Sequence, residues 1–371
     1  MVKKKEKNSN IQHPLFGTST INWIRLLTDN NGFDIKFFPR VMFITLSSIF
    51  TTPARLLFKL IYESKISKTQ ITKPPIFIIG HWRSGTTFLH ELLSKDPRLC
   101  HISLWHTLLP NSFLIFESSK KFLSRFLPTQ RPMDNMDVEI DGPYEEEAGL
   151  AVLDRWSFFH CFHFPKNAND QYNKSVHFEG LSDEDKITWK KNYINFLKTV
   201  TYANNGNQLV IKNPSNTGRI STLLELFPDA RFIHIYRNPY KIFFSTKKMR
   251  TRVLDKLSLQ KTTDKEIEDH VFRDYIKLMN SYFKHKDLIP NGQLIEIRYE
   301  DFVKDPLGKT KNIYEKLGIS GFKGAEPFMR EYLDQKASYK TNVYKFDQKL
   351  LEKIKKTWGF TIKRWGYEPP K

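Results

Sequence analysis

The stretch PIFIIGHWRSGTTFLHELL, residues 75–93, decides how the rest of this chain is interpreted. Residues 76–79 are consecutive apolar residues, as expected of a central strand in a parallel sheet. Gly80 ends this strand, a short polar loop follows, and the apolar residues from Phe88 to Leu93 recur with the spacing of an amphipathic helix. A loop that opens a helix presents free backbone N–H groups and the positive end of the helix dipole. The stretch therefore predicts a phosphate-binding site.

The glycines of this loop, Gly80 and Gly85, have the spacing of a nucleotide-binding P-loop. The loop departs from that motif because Thr86 stands where the motif has lysine. The nearest cation is Arg83, inside the loop. We therefore expect Arg83 to supply the positive charge of the phosphate site. The other predicted members are Ser84, Gly85, Thr86 and Thr87.

Downstream of the loop, short apolar strands alternate with helical periodicity, which indicates an α/β fold with a P-loop-like parallel sheet flanked by helices. Further strands are predicted at residues 99–104, 208–212, 231–236 and 293–299. Helices are predicted at residues 184–203, 220–227, 240–249, 264–286 and 306–317, with a loop-rich stretch at 122–150 and a basic aromatic tail at 342–371. Repeats and low-complexity linkers are absent from the sequence. We therefore expect one domain over residues 74–371, preceded by a disordered basic tail (1–12) and a helical extension (13–73).

Composition restricts the cellular setting and the partners. The 371 residues include only two cysteines, Cys100 and Cys161, so a disulfide framework is not expected. We therefore expect a reducing, cytoplasmic location. Neither cysteine has neighbours with the spacing of metal ligands, so no metal site is predicted. The formal net charge of +19 exceeds what one anionic ligand requires. An acidic partner such as an anionic membrane surface, a nucleic acid or a charged glycan would explain it, and so would lysines that serve only solubility.

The segment at residues 34–63 is apolar and aromatic, with basic residues on its flanks and Pro39 and Pro53 as breaks, so two short helices are predicted. Its longest near-apolar run, Val41 to Phe50, has about ten residues, whereas a transmembrane helix needs about 20. The segment is either an interfacial element that docks on a membrane or a pair of helices packed on the core. The first alternative should leave Phe or Leu side chains exposed, and the second should not.

A second anion-binding motif occurs in RFIHIYRNPYKIFFS, residues 231–245. A predicted strand ends at Arg237, Pro239 stands near the start of a helix, and Ser245 lies eight residues after the arginine. A guanidinium group and a hydroxyl group together can bind an oxyanion through one charged, bidentate contact and one neutral donor. The sequence thus predicts two phosphate anchors at the ends of two different strands.

The two anchors together resemble those of sulfotransferases that use 3′-phosphoadenosine 5′-phosphosulfate (PAPS), in particular the large bacterial type. In that family R-S-G-T-T holds the 5′-phosphosulfate, and an Arg-x-Pro followed by Ser holds the 3′-phosphate. The likeness covers about residues 75–367, with Asn213 and Tyr144 as departures from the usual Ser and Gln. Other similar stretches are 209–239 (LVIKNPSNTGRISTLLELFPDARFIHIYRNP), 295–306 (IEIRYEDFVKDP), DGPYEEEAGL at 141–150, YKTNVY at 339–344 and WGY at 365–367.

The resemblance implies a sulfotransferase that moves a sulfuryl group from PAPS to an acceptor hydroxyl without a metal. It also implies that Lys212, at the end of a predicted strand, lies near the bridging oxygen of the donor and assists its departure. The acceptor hydroxyl must lose a proton, so a base is required. The sequence offers Glu145 and Glu147 first, then His106, and then His81 inside the loop.

The acceptor is less well defined than the donor. Many aromatic residues surround the predicted site, which suits a hydrophobic alcohol such as a sterol or lipid, although a carbohydrate also binds on aromatic platforms: Trp82, Trp105, Phe113, Phe116, Trp156, Phe158, Phe159, Phe162 and Phe164. We expect a small-molecule or glycan acceptor and no nucleic acid, and peripheral contact with a membrane stays open together with the two alternatives for residues 34–63. The alternatives are an ATP- or GTP-dependent P-loop kinase, which the missing loop lysine disfavours, and a membrane-associated binding protein without activity.

Overall fold

A computed structural model of the protein describes residues 13–126, 138–336 and 346–370. The predicted α/β fold is confirmed, because five parallel strands form one sheet that helices flank on both sides. The strands lie in the order β2-β3-β1-β4-β5. Their bounds are β1 Ile76–Ile79, β2 Leu99–His101, β3 Gln208–Lys212, β4 Arg231–Tyr236 and β5 Leu294–Arg298. The strand that precedes the predicted phosphate loop is thus the central one.

The described residues also form α-helices throughout the chain. The first six are α1 Thr20–Asp29, α2 Phe38–Phe50, α3 Thr52–Lys68, α4 Thr86–Leu93, α5 Leu104–Leu108 and α6 Lys120–Leu123. The next six are α7 Glu146–Leu153, α8 His160–His163, α9 Ala168–His177, α10 Asp183–Ala203, α11 Ile220–Leu226 and α12 Pro239–Leu257. The last five are α13 Asp264–His285, α14 Tyr299–Lys304, α15 Pro306–Lys316, α16 Phe322–Lys336 and α17 Gln348–Trp365.

Each face of the sheet is covered by its own apolar core. Side chains that alternate along β1 divide between the two faces, as the pleat of a strand requires. Ile76 and Ile78 pack against α4, α15 and α16, while Phe77 and Ile79 pack against α10 and α11. A parallel sheet with both faces covered needs strands that are apolar on both sides, which explains the continuous apolar run of β1. The carboxyl edge of the sheet is left as the place for a site.

Several elements differ from those predicted. β2 ends at His101, three residues early, because Ser103 caps the N-terminus of α5. α12 continues to Leu257, eight residues beyond the predicted end, since its buried side chains continue the helical repeat. The predicted tail contains α17, whose Leu351, Ile354 and Trp358 are buried against α12 and α13. The stretch YKTNVY at 339–344 lies outside the described residues.

The two helices predicted within residues 34–63 are present as α2 and α3. Pro39 and Pro53 lie in the first turn of their helices, where the missing N–H group is not needed, so they begin these helices. The extension shares a core with the rest of the chain, because Trp23 and Ile44 pack with Ala151 and other residues of the later helices. By length and composition, Ile35–Lys68 is a segment that could cross a membrane, contrary to the expectation from its longest apolar run.

Candidate active site

Three adjacent central strands bring the predicted groups to one edge of the sheet. The loop follows β1, Lys212 is the last residue of β3, and Arg237 comes directly after β4. Because β1 pairs with both β3 and β4, the ends of these strands are neighbours. The structure therefore places both anchors and Lys212 where α/β proteins build their sites.

The loop backbone can adopt its turn only with glycine at two positions. Gly80 has a φ of 143°, and a Cβ there would lie 2.3 Å from the carbonyl oxygen of Ile235. Gly85 has a φ of 105°, and its Cβ would lie 2.2 Å from the ring of Tyr299. Arg83 has a φ of 71°, which is uncommon for a residue with a side chain and costs conformational energy. The loop is thus a tight turn with backbone strain at Arg83, the arginine predicted to bind phosphate.

The two anchors meet in space. Arg83 Nε donates to Ser245 Oγ at 2.9 Å, and an Arg237 Nη donates to the carbonyl oxygen of Arg83 at 3.0 Å. The Arg237 guanidinium also lies over the ring of Tyr299, 4.2 Å from its centroid. Within the described residues, the buried Arg237 Nε and Ser84 Oγ have no hydrogen-bond partner. Buried donors are normally satisfied, so these two fit an oxyanion that would accept from them.

Lys212 and Glu145 form an ion pair beside these anchors. Lys212 Nζ lies 2.5 Å from Glu145 Oε1, and the two side chains are only 3% and 17% exposed. Glu145 immediately precedes α7. The segment before it is held against the end of the sheet, because the N–H of Tyr144 donates to the carbonyl oxygen of Ile102 at 2.7 Å. Both charged groups line the same cavity.

Glu147 is placed differently from Glu145, although only one residue separates them. Its carboxylate accepts from Arg219 at 2.6 and 3.1 Å and from the N–H of Phe158 at 2.6 Å. Burial is the largest influence and opposes its ionisation, but the charge and hydrogen bonds of Arg219, together with the hydrogen bonds from Asn213 and Phe158, outweigh burial and hold the pKa of Glu147 below its ordinary value. Glu147 is fully buried and is not among the residues that line the cavity. This position argues against the role of base predicted for it and assigns it to a structural ion pair.

The two candidate histidines are also away from the cavity lining. His106 Nδ1 accepts from the N–H of Ser103 at 3.0 Å, and the His106 ring packs on Phe113. His81 Nδ1 lies 2.8 Å from the carbonyl oxygen of Trp82. Burial lowers the pKa of each to about 3. Such weakly basic, enclosed imidazoles are poorly suited to accept a proton from an acceptor at neutral pH.

The cavity has a volume of about 570 Å³ and two chemically distinct ends. Its polar end contains the groups described above, namely Arg83, Gly85, Thr86, Thr87, Glu145, Lys212, Arg237 and Ser245. Its apolar end is lined by side chains from α5, α8, α12 and the turn before α1, namely Pro14, Leu104, Leu108, Phe159, Phe162, Met249, Val253 and Leu257. The Glu145–Lys212 pair lines the same cavity as both sets. The cavity can therefore hold an anion at one end and an apolar group at the other.

Sequence reasoning identified part of this lining and missed part of it. Of the predicted aromatic residues, Trp82, Phe159 and Phe162 line the cavity, whereas Trp105 and Phe158 are core residues. Part of the apolar lining was missed because Val253 and Leu257 lie on a part of α12 that was not predicted. Tyr299 belongs to the stretch 295–306 that resembles the sulfotransferase family, but its contact with both Gly85 and Arg237 depends on the fold.

Glu146 is buried next to Glu147, and its ionisation makes the stability of the protein depend on pH. Its carboxylate is fully buried and accepts from Asn213 at 3.1 Å and Asn216 at 2.6 Å. Burial first, and the charge of Glu147 second, raise the pKa of Glu146 from 4.5 to about 7. Between these values the folded chain keeps a proton that the unfolded chain has lost. The contribution of Glu146 to stability therefore falls as the pH rises from about 4.5 to about 7.

We expect Glu146→Gln to become more stable relative to the wild type as the pH rises. The glutamine does not ionise, so at pH 8 the variant avoids a penalty of up to about 3 kcal/mol that is absent near pH 4. Urea denaturation at acidic and alkaline pH measures the difference, with Glu139→Gln as a control because Glu139 is exposed. A difference between Glu146→Gln and wild type that does not change with pH would contradict this prediction.

Comparison with known proteins identifies the family and agrees with the fold. The model of the sulfotransferase family matches residues 74–323. An omega-hydroxy-beta-dihydromenaquinone-9 sulfotransferase, Stf3, of Mycobacterium bovis is 34% identical over 310 residues, which cover 84% of this chain and 79% of that protein. The same name, identity and coverage apply to the protein of Mycobacterium tuberculosis.

Solved structures show the same fold at low sequence identity. Sulfotransferase STF9 of Mycobacterium avium superposes with a TM-score of 0.68 at 15% identity, covering 95% of this chain and 97% of that chain. Sulfotransferase STF1 of Mycobacterium tuberculosis H37Rv superposes with a TM-score of 0.63 at 19% identity, covering 85% of this chain and 88% of that chain. The family model spans more than half of the chain, and the Mycobacterium bovis relative is 34% identical to it over 310 residues. The chain is therefore an enzyme that belongs to the sulfotransferase family.

Proposed function

We propose that the enzyme transfers a sulfuryl group from PAPS to the hydroxyl group of a hydrophobic, lipid-like alcohol. The observation that carries this proposal is one cavity that is lined by cationic groups, by apolar side chains and by the Glu145–Lys212 pair. A sulfuryl donor is polyanionic and a lipid alcohol is not, so the two substrates need opposite chemistry within one enclosed space.

The cationic end suits the two phosphate groups of PAPS. The loop amides from Arg83 to Thr87 and the start of α4 would meet the 5′-phosphosulfate, because a helix N-terminus favours anions. Arg237 and Ser245 would meet the 3′-phosphate, with the unpartnered Arg237 Nε as a free donor. The convergence of both anchors supports one ligand that carries both groups.

The apolar end suits the acceptor. Its wall of leucine, phenylalanine, valine and methionine side chains offers few polar groups to a sugar, whose many hydroxyl groups would lose their hydrogen bonds to water there. The mycobacterial relative is named for a menaquinone derivative, which is a lipid with a terminal hydroxyl group. Both observations favour a lipid-like alcohol over a carbohydrate.

In the proposed reaction, Glu145 accepts the proton of the acceptor hydroxyl as the acceptor oxygen attacks the sulfur. The bond between sulfur and the bridging oxygen of the donor breaks, and 3′-phosphoadenosine 5′-phosphate (PAP) departs with that electron pair. Lys212 and the loop N–H groups stabilise the negative charge that grows on the leaving phosphate. Glu145 and Lys212 are already paired in the cavity, so both groups are held in place before the substrates enter.

Calorimetry with PAP, AMP and ATP in the presence of EDTA tests the donor. We expect PAP to bind at least about a hundredfold more tightly than AMP, because only PAP presents the 3′-phosphate to charged donors. Preference for ATP, or equal binding of PAP and AMP, would contradict the assignment of the donor.

Sulfuryl transfer from labelled PAPS to a long-chain polyprenol, compared with a monosaccharide, tests the acceptor. Transfer to the polyprenol alone supports the proposal. Transfer to the sugar alone would reassign the apolar end, while the donor assignment would still rest on the calorimetry.

A further inference from the structure

We propose that the exposed apolar side of α2 and α3 docks the enzyme on the surface of an anionic lipid bilayer. This apolar face consists of Phe38, Met42, Leu46, Ile49 and Phe50 on α2 and Leu56, Leu57, Leu60 and Ile61 on α3. Phe50 is 84% exposed, Leu60 is 83% exposed and Leu46 is 60% exposed. The surface contact goes beyond the reaction, because it concerns where the enzyme works.

The concentration of these side chains distinguishes them from scattered surface residues. Among the described residues, twelve of the nineteen large hydrophobic side chains that are exposed lie between Ile21 and Ile61. On α2 they recur at spacings of three and four residues, so they share one side of the helix. Isolated exposed apolar residues need no explanation, but a continuous apolar side marks an interaction surface.

The charges around the apolar face indicate what kind of surface it meets. Residues 35–62 contain no aspartate or glutamate. Exposed lysines precede α2, lie within α3 and follow it, at positions 36, 59, 65, 68 and 73, and Lys59 pairs with the exposed Glu63. A surface that combines exposed apolar side chains with an excess of lysines matches the acyl boundary and the anionic headgroups of a bilayer. A second copy of this chain is a poorer occupant, because the same lysines would repel each other across a twofold interface.

In this proposal α2 and α3 lie along the bilayer surface, because their other side packs against the rest of the protein. Tyr62 on α3 packs against Tyr202 on α10, and Lys198 donates to the carbonyl oxygen of Ser67. Between the two helices, Arg55 donates to the carbonyl oxygens of Thr18 and Ser48 at 3.1 and 2.7 Å. A helix that crossed the bilayer would have to break these contacts and take Arg55 into hydrocarbon.

The helix α2, which carries part of the apolar face, adjoins the apolar end of the cavity through other side chains. Phe43 on α2 packs with Phe16, in the same turn as the cavity-lining Pro14. Arg40 donates to the carbonyl oxygen of Ser258, one residue beyond the cavity-lining Leu257. Docking through this face would therefore hold α2, and with it the adjoining acceptor end of the cavity, close to the membrane, where an alcohol with a long apolar chain resides.

Vesicle flotation of the full-length protein tests the proposal. The probes are vesicles of phosphatidylcholine alone and vesicles that also contain phosphatidylglycerol. We expect the wild type to bind the anionic vesicles more strongly and to lose part of that binding at high salt. The triple variant Leu46→Ser, Phe50→Ser, Leu60→Ser should lower the partition coefficient by at least about a hundredfold, because each inserted side chain is worth about tenfold.

A control replaces three large apolar residues that are exposed elsewhere, as Ile187→Ser, Leu288→Ser and Phe328→Ser, and should bind vesicles like the wild type. Thermal unfolding and PAP binding of both triple variants verify that they fold. Equal vesicle binding by the Leu46, Phe50 and Leu60 variant and the wild type, or no binding by the wild type, would overturn the proposal. A lipid-free wild-type dimer that this variant converts to a monomer would also overturn it. Vesicle binding is read without turnover, so it is independent of whether the acceptor is assigned correctly.

Discussion

Replacing Arg237 with alanine should lower the affinity for PAP by at least about a hundredfold while leaving the weaker binding of AMP nearly unchanged. Arg237 is the group proposed to meet the 3′-phosphate, which AMP lacks. Its Nε has no partner among the described residues, so its loss removes a donor that only the ligand would satisfy. Isothermal titration of both nucleotides into the wild type and the variant measures the two affinities.

The companion change Arg83→Ala should weaken PAP and AMP together, because the loop is proposed to hold the 5′-phosphate that both nucleotides carry. Arg237→Lys should fall between wild type and alanine, since an ammonium keeps the charge but loses the planar fork of donors. Arg25→Ala is the matched control, because this arginine is exposed on α1. If Arg237→Ala keeps its preference for PAP over AMP, the 3′-phosphate site has been placed wrongly.

Replacing Glu145 with glutamine should reduce turnover by a factor of about 10² to 10⁴ with little change in PAP binding. The glutamine keeps the size of the side chain but cannot accept the proton of the acceptor hydroxyl. Glu145 is the carboxylate that lines the cavity and pairs with Lys212, so it is the candidate base that the geometry favours. Single-turnover transfer from PAPS, measured beside calorimetry with PAP, separates chemistry from binding.

The matched change Glu147→Gln should produce a different defect. It removes the charge that compensates the buried Arg219, so we expect a loss of about 3–5 kcal/mol in the free energy of unfolding. The folded fraction of Glu147→Gln should retain turnover. His106→Ala should also retain turnover, because His106 does not line the cavity. Full turnover in Glu145→Gln would exclude it as the base, and its loss in His106→Ala would restore the histidine.

The local motifs of this chain could be predicted from the sequence without knowledge of the tertiary structure. The loop that contains Arg83, and the pair of Arg237 and Ser245, are short patterns in which strand, turn and helix follow each other directly. The physical requirement is also local, since glycine is needed where φ is positive and where a Cβ would collide. The order of predicted strands and helices was enough for the fold class, because alternation implies a parallel sheet.

The same sequence could not distinguish the candidate bases. Glu145 and Glu147 stand two residues apart in one acidic run, yet one faces Lys212 in the cavity and the other faces Arg219 in the core. Their lysine and arginine partners lie more than 60 residues away in the chain. Which partner each carboxylate meets depends on how β3 and the following turn pack against α7.

In the N-terminal extension, too, the sequence predicted the local elements but not their long-range contacts. Its apolar composition and its prolines predicted two helices, but not which side of each helix would remain uncovered. That depended on long-range packing, with Tyr62 against Tyr202 on one helix and Phe16 against Phe43 on the other. The sequence by itself determined the parallel α/β fold and the two motifs proposed to bind phosphate, because these depend on neighbours in the chain. Only the tertiary structure decided the partner of each buried charge, the apolar end of the cavity and the exposed side of α2 and α3, because these depend on contacts between segments that are distant in the chain.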